Sequence, residues 1–260
     1  MNIAPNIHRL TTQYKDIFTT VYALRSPSGD ILFDAASYPE DIDNRVVPFL
    51  EHSGITPYTL KYVFISHNHA DHSGGLQRLL ERYPGITIVT RSLTLKEKYA
   101  DVSFFLPQDG DLLLDTYRVV TIPGHTADSS ALLDTRDGTL ITGDCLQLYG
   151  IRGSGDWASN ISFPADHLHA IDKVRRLMPQ RIFTAHDYVP YGWNAHGAEA
   201  VGALLDACEA PVRRLADLIR QNPQLDDGAI RSLFSDFENH LTINLRVVAA
   251  MRAAVDNGQL

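Results

Sequence analysis

The chain has 260 residues, 44% hydrophobic and 21% charged, enough apolar material to bury one sizeable core or two small ones. Acids outnumber bases 31 to 23, the formal net charge is −8, and no Lys/Arg run stands out, so nucleic acid is not an expected partner. No apolar run is long enough to cross a bilayer, the N-terminus lacks a secretory pattern, and two cysteines (Cys145 and Cys208) make no disulfide framework, so no membrane partner and a reducing, cytoplasmic setting are expected.

In chain order, residues 18–34 read as a hairpin, with β-rich runs at Phe18–Leu24 and Ile31–Phe33 around the turn chemistry of Ser26-Pro27-Ser28-Gly29. Glu40-Asp41 opens a helix carrying Ile42, Val46, Phe49 and Leu50 on one face, with Pro48 as a kink and a stop near Gly54. Tyr62–Ile65 is a continuous apolar run, as in a strand buried on both faces, and delivers the chain into His67. A helix through Leu76, Leu79 and Leu80 and a strand at Ile86–Val89 follow.

The second half repeats this style. Tyr117–Ile122 reads as a strand ending at Pro123-Gly124-His125, and Ser130–Leu133 and Thr139–Thr142 flank the turn signal Asp137-Gly138 before Gly143-Asp144. Pro164 starts a helix through Leu168, Ile171, Val174 and Leu177, and the strand Arg181–Thr184 ends ahead of His186. From about residue 195 the pattern is helical throughout. Val201 to Ile219 keep helical spacing with Pro211 as a break between two helices, then Ile230, Leu233, Phe234 and Phe237, and then Leu241, Leu245, Val248, Met251 and Val255. The titratable residues therefore fall just past the ends of short apolar strands, where α/β sheets place their chemistry.

Residues 66–75, SHNHADHSGG, crowd three histidines and an aspartate into six positions. Imidazole is a good ligand for zinc, iron and nickel, and carboxylate adds charge and bridges ions. Side chains two apart in an extended segment point the same way, so His67 and His69 are placed to grip one ion together. Asp71 and His72 follow where the chain turns toward a helix and can address a second ion, at the roughly 3.5–4 Å spacing of two-metal hydrolytic sites.

Taken in order, HxHxDH at 67–72, PGHT at 123–126, GD at 143–144 and AH at 185–186 resemble the metallo-β-lactamase superfamily, over about residues 18–190. The resemblance implies an α+β fold, a four-layer αββα sandwich over residues 1–194, here with a helical extension at 195–260 packed on it. It implies that His67, His69 and His125 hold one divalent ion, that Asp71, His72 and His186 hold a second, and that Asp144 bridges them. Zinc is the default ion, with iron and manganese as alternatives. Asp34 matches a family aspartate that supports the site from behind. All seven ligand positions are filled, which argues for two ions. A single-iron member usually lacks the Asp71 type of ligand.

The implied chemistry is metal-assisted hydrolysis by a metal-bridging hydroxide, with Asp71 and Asp144 as the catalytic carboxylates. The expected substrate is a small-molecule ester, thioester or lactone; a phosphodiester or β-lactam, or a non-catalytic metal-binding module, is the alternative. The 41 positions between Asp144 and His186 leave no room for the inserted domain of β-CASP nucleases, and flavodiiron reductases need a fused flavin domain. His125-Thr126-Ala127-Asp128-Ser129 departs from the PGHTPGH form of glyoxalase II-like members, which counts against glutathione thioesters. His8, His52, His196 and His240 read as ordinary surface or core residues, and His167 and His169 as pocket-lining or exposed. Cys145 reads as core. Tyr149, Trp157, Tyr188, Tyr191 and Trp193 are candidate pocket walls, Gly150–Trp157 is a candidate mobile loop, and Arg152 a candidate carboxylate contact. A homodimer contact on the helical extension is the remaining partner expectation.

Overall fold

A computed structural model describes residues 2–147, 150–152, 159–236 and 242–260. Tyr149, Trp157, Phe237, His240, Leu241 and most of the glycine-rich stretch after Gly150 lie outside the described residues. The chain forms two compact units: Met1–Val120 with Ser130–Arg136, and Thr121–Ser129 with Asp137–Leu260.

In the first unit, β1 (Asn2–Ala4), β2 (Ile7–Tyr14), β3 (Ile17–Ser26) and β4 (Gly29–Phe33) form an antiparallel series. The expected hairpin is β3–β4, closed where Ser26 pairs with Gly29. The strands β1 and β2 before it were not anticipated. After β4 come α1 (Pro39–Asp41), a π-helical stretch (Ile42–Val46) and α2 (Val47–His52). Proline at 48 has no N–H to offer the turn before it, and its ring crowds that turn's carbonyl. The ladder widens there instead of breaking, and Val47 N–H reaches back to the Ile42 carbonyl.

The strand β5 (Leu60–Phe64) is parallel to β4, and α3 (Ala70–Ser73), α4 (Leu76–Arg82) and β6 (Thr87–Val89) follow it. After α5 (Leu93–Lys98), β7 (Phe104–Phe105) completes a seven-stranded sheet in chain order, β1 to β7, with β4 to β7 parallel. The unit also carries β8 (Leu112–Leu113), all but the last residue of β9 (Tyr117–Thr121), and β10 (Ser130–Asp134). Its core gathers Leu32, Val63, Ile65, Leu76, Leu79 and Ile88 with the apolar face of Ile42 to Leu50.

The second unit holds β11 (Thr139–Ile141), α6 (Pro164–Leu177), β12 (Arg181–Tyr188), β13 (Gly192–His196), α7 (Gly197–Gln221), α8 (Asp227–Phe234) and α9 (Leu245–Asp256). Within this unit β12 runs parallel to β11 and antiparallel to β13. The helix starting at Pro164 runs to Leu177 as the apolar spacing predicts. Pro211 does not divide the next helix: α7 continues through it for 25 residues, and Cys208, Pro211, Val212 and Leu215 are all buried. Tertiary burial of that face outweighs the single hydrogen bond proline removes.

The helices α7, α8 and α9 share a core of Val212, Leu215, Ile219, Ile230, Phe234, Val248 and Met251, with Leu168 of α6 packed against it. Leu233 and Leu245, expected on apolar faces, are about half exposed. Phe234 is fully buried within this cluster. Phe234→Ala is expected to cost about 3–5 kcal/mol in a denaturant-unfolding measurement, from lost apolar burial plus the cavity left behind.

Candidate metal-binding groups

The first unit places candidate donors where two parallel strands end side by side. Phe33 of β4 pairs with Phe64 of β5, so Asp34 and Ser66 emerge from neighbouring strand ends. Asp34 N–H donates to the Phe64 carbonyl at 2.8 Å, and Ser66 N–H donates to Asp34 Oδ1 at 2.8 Å. The turn takes Asp34 and Ala36 through left-handed backbone (φ 63° and 55°), which aspartate tolerates better than most residues.

Asp34 is fully buried, and burial pushes its carboxyl above the usual range, opposed by the His72 ring and by hydrogen bonds from Ser66. Its Oδ2 lies 2.7 Å from His72 Nδ1. An acceptor there fixes the proton on Nδ1 and leaves the Nε2 lone pair facing Asp71 Oδ2, 3.3 Å away. Thr19 from β3 donates to that same oxygen at 3.1 Å. His67 and His69 converge likewise, His67 Nε2 standing 3.0 Å from His69 Nδ1. His67, Asp71 and His72 are buried and His69 half-buried.

Two glycines make this packing possible. Gly74 and Gly75 have ordinary φ values of −64° and −82°, so conformational freedom is not their use. A Cβ on Gly74 would lie 2.0 Å from the Ser37 carbonyl oxygen, and one on Gly75 2.3 Å from that of Ala35. The loop after Asp34 therefore presses on the helix carrying Asp71 and His72, and Ala35 N–H donates to the His72 carbonyl at 2.7 Å.

The second unit follows the same logic. Ile141 of β11 pairs in parallel with Phe183 of β12, and Asp144 and His186 each lie three residues beyond that pair. Here the expectation needs correction: β12 continues to Tyr188, so His186 sits inside the strand's span, beyond its pairing with β11. Asp144 Oδ1 lies 3.0 Å from His186 Nε2, and Asp144 Oδ2 lies 3.6 Å from His125 Nε2. One carboxylate thus addresses two imidazoles with its two oxygens. His125 Nδ1 donates to the Asn160 carbonyl at 2.6 Å, which turns its Nε2 lone pair toward Asp144. Gly124 before it is at φ 148°, and a Cβ there would lie 2.7 Å from His167 Cβ.

These donor sets fit divalent cations. In both units a ring nitrogen with its lone pair outward faces a carboxylate oxygen, a juxtaposition of acceptors that a cation satisfies. The seven residues are those that form the candidate metal-holding groups among the described residues. If Asp34 orients His72 in this way, Asp34→Asn should weaken metal binding about 10–100-fold, read by chelator competition. An affinity equal to wild type would remove Asp34 from that role.

The remaining candidates sort by burial. His167 is fully buried in α6, and burial followed by the nearby His125 holds it down to about 4, so it stays neutral. His169, His52 and His196 are exposed and His8 half-buried. Cys145 is buried, as expected of a core residue. Arg152 is exposed and pairs with Asp187, its Nε 3.3 Å from Oδ1. Tyr188 is buried, while Tyr191 and Trp193 are half-buried. Sequence reasoning missed Gln147, Asn160 and Thr19, because none is a ligand type and their partners are distant in sequence.

The chain belongs to the metallo-beta-lactamase superfamily, whose family model matches residues 14–193. It is 29% identical over 136 residues to the hydroxyacylglutathione hydrolase of Francisella tularensis subsp. holarctica, an alignment covering 50% of this chain and 50% of that protein. The chain spans about half the length of the curated relatives it matches. Among solved structures, a metallo-beta-lactamase family protein from Thermus thermophilus superposes with a TM-score of 0.66 at 18% identity, covering 98% of this chain and 95% of that one. Rubredoxin oxygen:oxidoreductase from Desulfovibrio gigas gives 0.65 at 16% identity, over 97% and 75%. Identities this low speak to fold alone: a mixed α/β arrangement of two sheets with helices, as in metallo-β-lactamases. Among the described residues no helix is long and apolar enough to cross a membrane.

Proposed function

We propose that the protein is a dinuclear metal-dependent hydrolase of a small-molecule ester, thioester or lactone. The observation that carries this reading is Asp144, whose two oxygens address His186 and His125 separately, as a bridging carboxylate must. In this reading His67, His69 and His125 hold one ion, Asp71, His72 and His186 hold the other, and Asp144 serves both; zinc is the default, with iron or manganese as alternatives. Ions so held supply acidified water and a polarised substrate carbonyl.

The chain's own residues prepare that chemistry. Asp34 and the Asn160 carbonyl fix the tautomers of His72 and His125, and Thr19 fixes one oxygen of Asp71. Asp71 and Asp144, the proposed catalytic carboxylates, are nearly excluded from water, where charge acts more strongly on a reacting group. The likeness over half the chain to a hydroxyacylglutathione hydrolase supports acyl rather than phosphoryl substrates. In the same proposal residues 1–194 carry the catalysis, residues 195–260 cover the pocket or form a homodimer contact, and the protein works in the cytoplasm without nucleic acid or membrane.

The test is elemental analysis of protein purified without added metal, joined to paired assays on aryl esters, thioesters and lactones against bis-aryl phosphates. About two equivalents of metal with chelator-sensitive acyl hydrolysis is the expected result. Turnover confined to the phosphates would hand the site to the phosphodiesterase reading. Full occupancy with no turnover would favour a non-catalytic module.

A further inference from the structure

Gln147 is 4% exposed, lies three residues after Asp144, and is not itself a metal-ligand type, yet its hydrogen bonds lead toward candidate ligands. Its Nε2 donates to the Asp144 backbone carbonyl at 3.0 Å and to the Tyr188 hydroxyl at 2.9 Å. Its Oε1 accepts from Asn160 N–H at 3.0 Å. An N–H at 160 requires the amide oxygen on that side, so the flip of the amide is determined by its partners.

Each partner touches or carries a different ligand. Asp144 is the carboxylate itself. Tyr188 sets its ring edge-on to His186, centroids 5.6 Å apart. Asn160 presents its carbonyl to His125 Nδ1 at 2.6 Å. We infer that Gln147 is a positioning residue for the second unit's whole ligand set: one buried amide ties together the supports of His125, Asp144 and His186.

The inference rests on the proposed reading that these three residues hold metal. Three elements far apart in sequence meet at this amide: the turn after β11, the segment before α6 and the end of β12. Removing the amide takes away the group that joins the Asn160 support to the Asp144 turn, and three polar groups lose a partner. The ligands would then be held separately and less well aligned. Loss of such an outer partner weakens metal binding by about 10–100-fold.

The test compares wild type with Gln147→Met, which keeps length and apolar bulk but removes every hydrogen bond, and with Tyr188→Phe, which removes one. The readouts are zinc affinity by chelator competition and the visible absorption of the cobalt(II)-substituted protein, beside the unfolding midpoint of the metal-free protein. Gln147→Met is expected to bind zinc about 10–100-fold more weakly in both equivalents, since the network supports a ligand of each ion, and to alter the cobalt bands. Tyr188→Phe is expected to fall between Gln147→Met and wild type.

A Gln147→Met protein with wild-type zinc affinity and an unchanged cobalt spectrum would overturn the inference, whatever its unfolding midpoint. If Gln147→Met does not fold, Tyr188→Phe decides: weakened zinc binding with altered cobalt bands supports the inference, and wild-type values for both overturn it. A wild-type protein that takes up less than about two equivalents would instead overturn the reading beneath it, a result separable from any effect of the variants.

Discussion

On the proposed dinuclear hydrolase reading, Asp144→Ala is expected to reduce bound metal from about two equivalents to one or fewer and to lower hydrolysis by well over the roughly 100-fold that loss of an outer partner costs. The reason is geometric. Asp144 Oδ1 stands 3.0 Å from His186 Nε2 and Oδ2 stands 3.6 Å from His125 Nε2, so one truncation strips charge from both positions at once. Two imidazoles without a compensating carboxylate would hold a divalent ion more weakly, because its charge would stay uncompensated in a buried place. Elemental analysis of the purified variant checks the first part, and initial rates at saturating added zinc check the second. If the variant kept both equivalents and its rate, Asp144 would not be a bridge. Asp144→Asn keeps size and one oxygen, and is expected to fall between the two.

Gly74→Ala is expected to destabilise the protein by about 1–3 kcal/mol, opposite in sign to the usual gain from alanine in a helical backbone. Gly74 has φ −64° and ψ −32°, values any residue adopts, so on backbone preference alone alanine should help by about 0.5–1 kcal/mol. The clash decides otherwise, since a Cβ placed 2.0 Å from the Ser37 oxygen and 2.5 Å from the Ala70 oxygen meets backbone on both sides. Either the loop from Asp34 to Ser37 retreats or the turn carrying Asp71 and His72 does. Both movements separate Asp34 from His72, so metal affinity should fall together with stability. Denaturant unfolding of the metal-free protein isolates the packing cost, and chelator competition reads the rest. A neutral or stabilising outcome would show that the loop yields cheaply.

Much of this was legible in the sequence wherever one local rule was enough. A continuous apolar run ending before His67 marked β5, and proline at the first turn with apolar spacing marked α6 from Pro164 to Leu177. The candidate residues themselves stood close to predicted strand ends, so their positions could be read before any geometry existed, although β12 then continues past His186. Other features depend on competition between local preference and packing. Pro211 argues for a break, yet the buried face of α7 overrides it. Pro48 argues for a kink, and the ladder answers with a π turn that no pattern of apolar residues announces. Leu233 and Leu245 keep helical spacing but face outward. Gln147 was invisible for another reason: its role is defined by Asn160 and Tyr188, which lie 13 and 41 positions away.

The two imidazole supports also differ in what kind of change can reach them. His72 leans on the Asp34 side chain, so a single base change at that codon can remove the contact. His125 leans on the main-chain oxygen of residue 160, which every amino acid possesses. Position 160 should therefore accept a wide range of side chains in a saturation library, with proline excluded because its nitrogen has no hydrogen for Gln147. Position 34 should accept almost none. Random variation would thus erode the His72 support far sooner than the His125 support, and on the proposed dinuclear reading a lineage drifting under weak selection would be expected to lose metal at the Asp71–His72 position first.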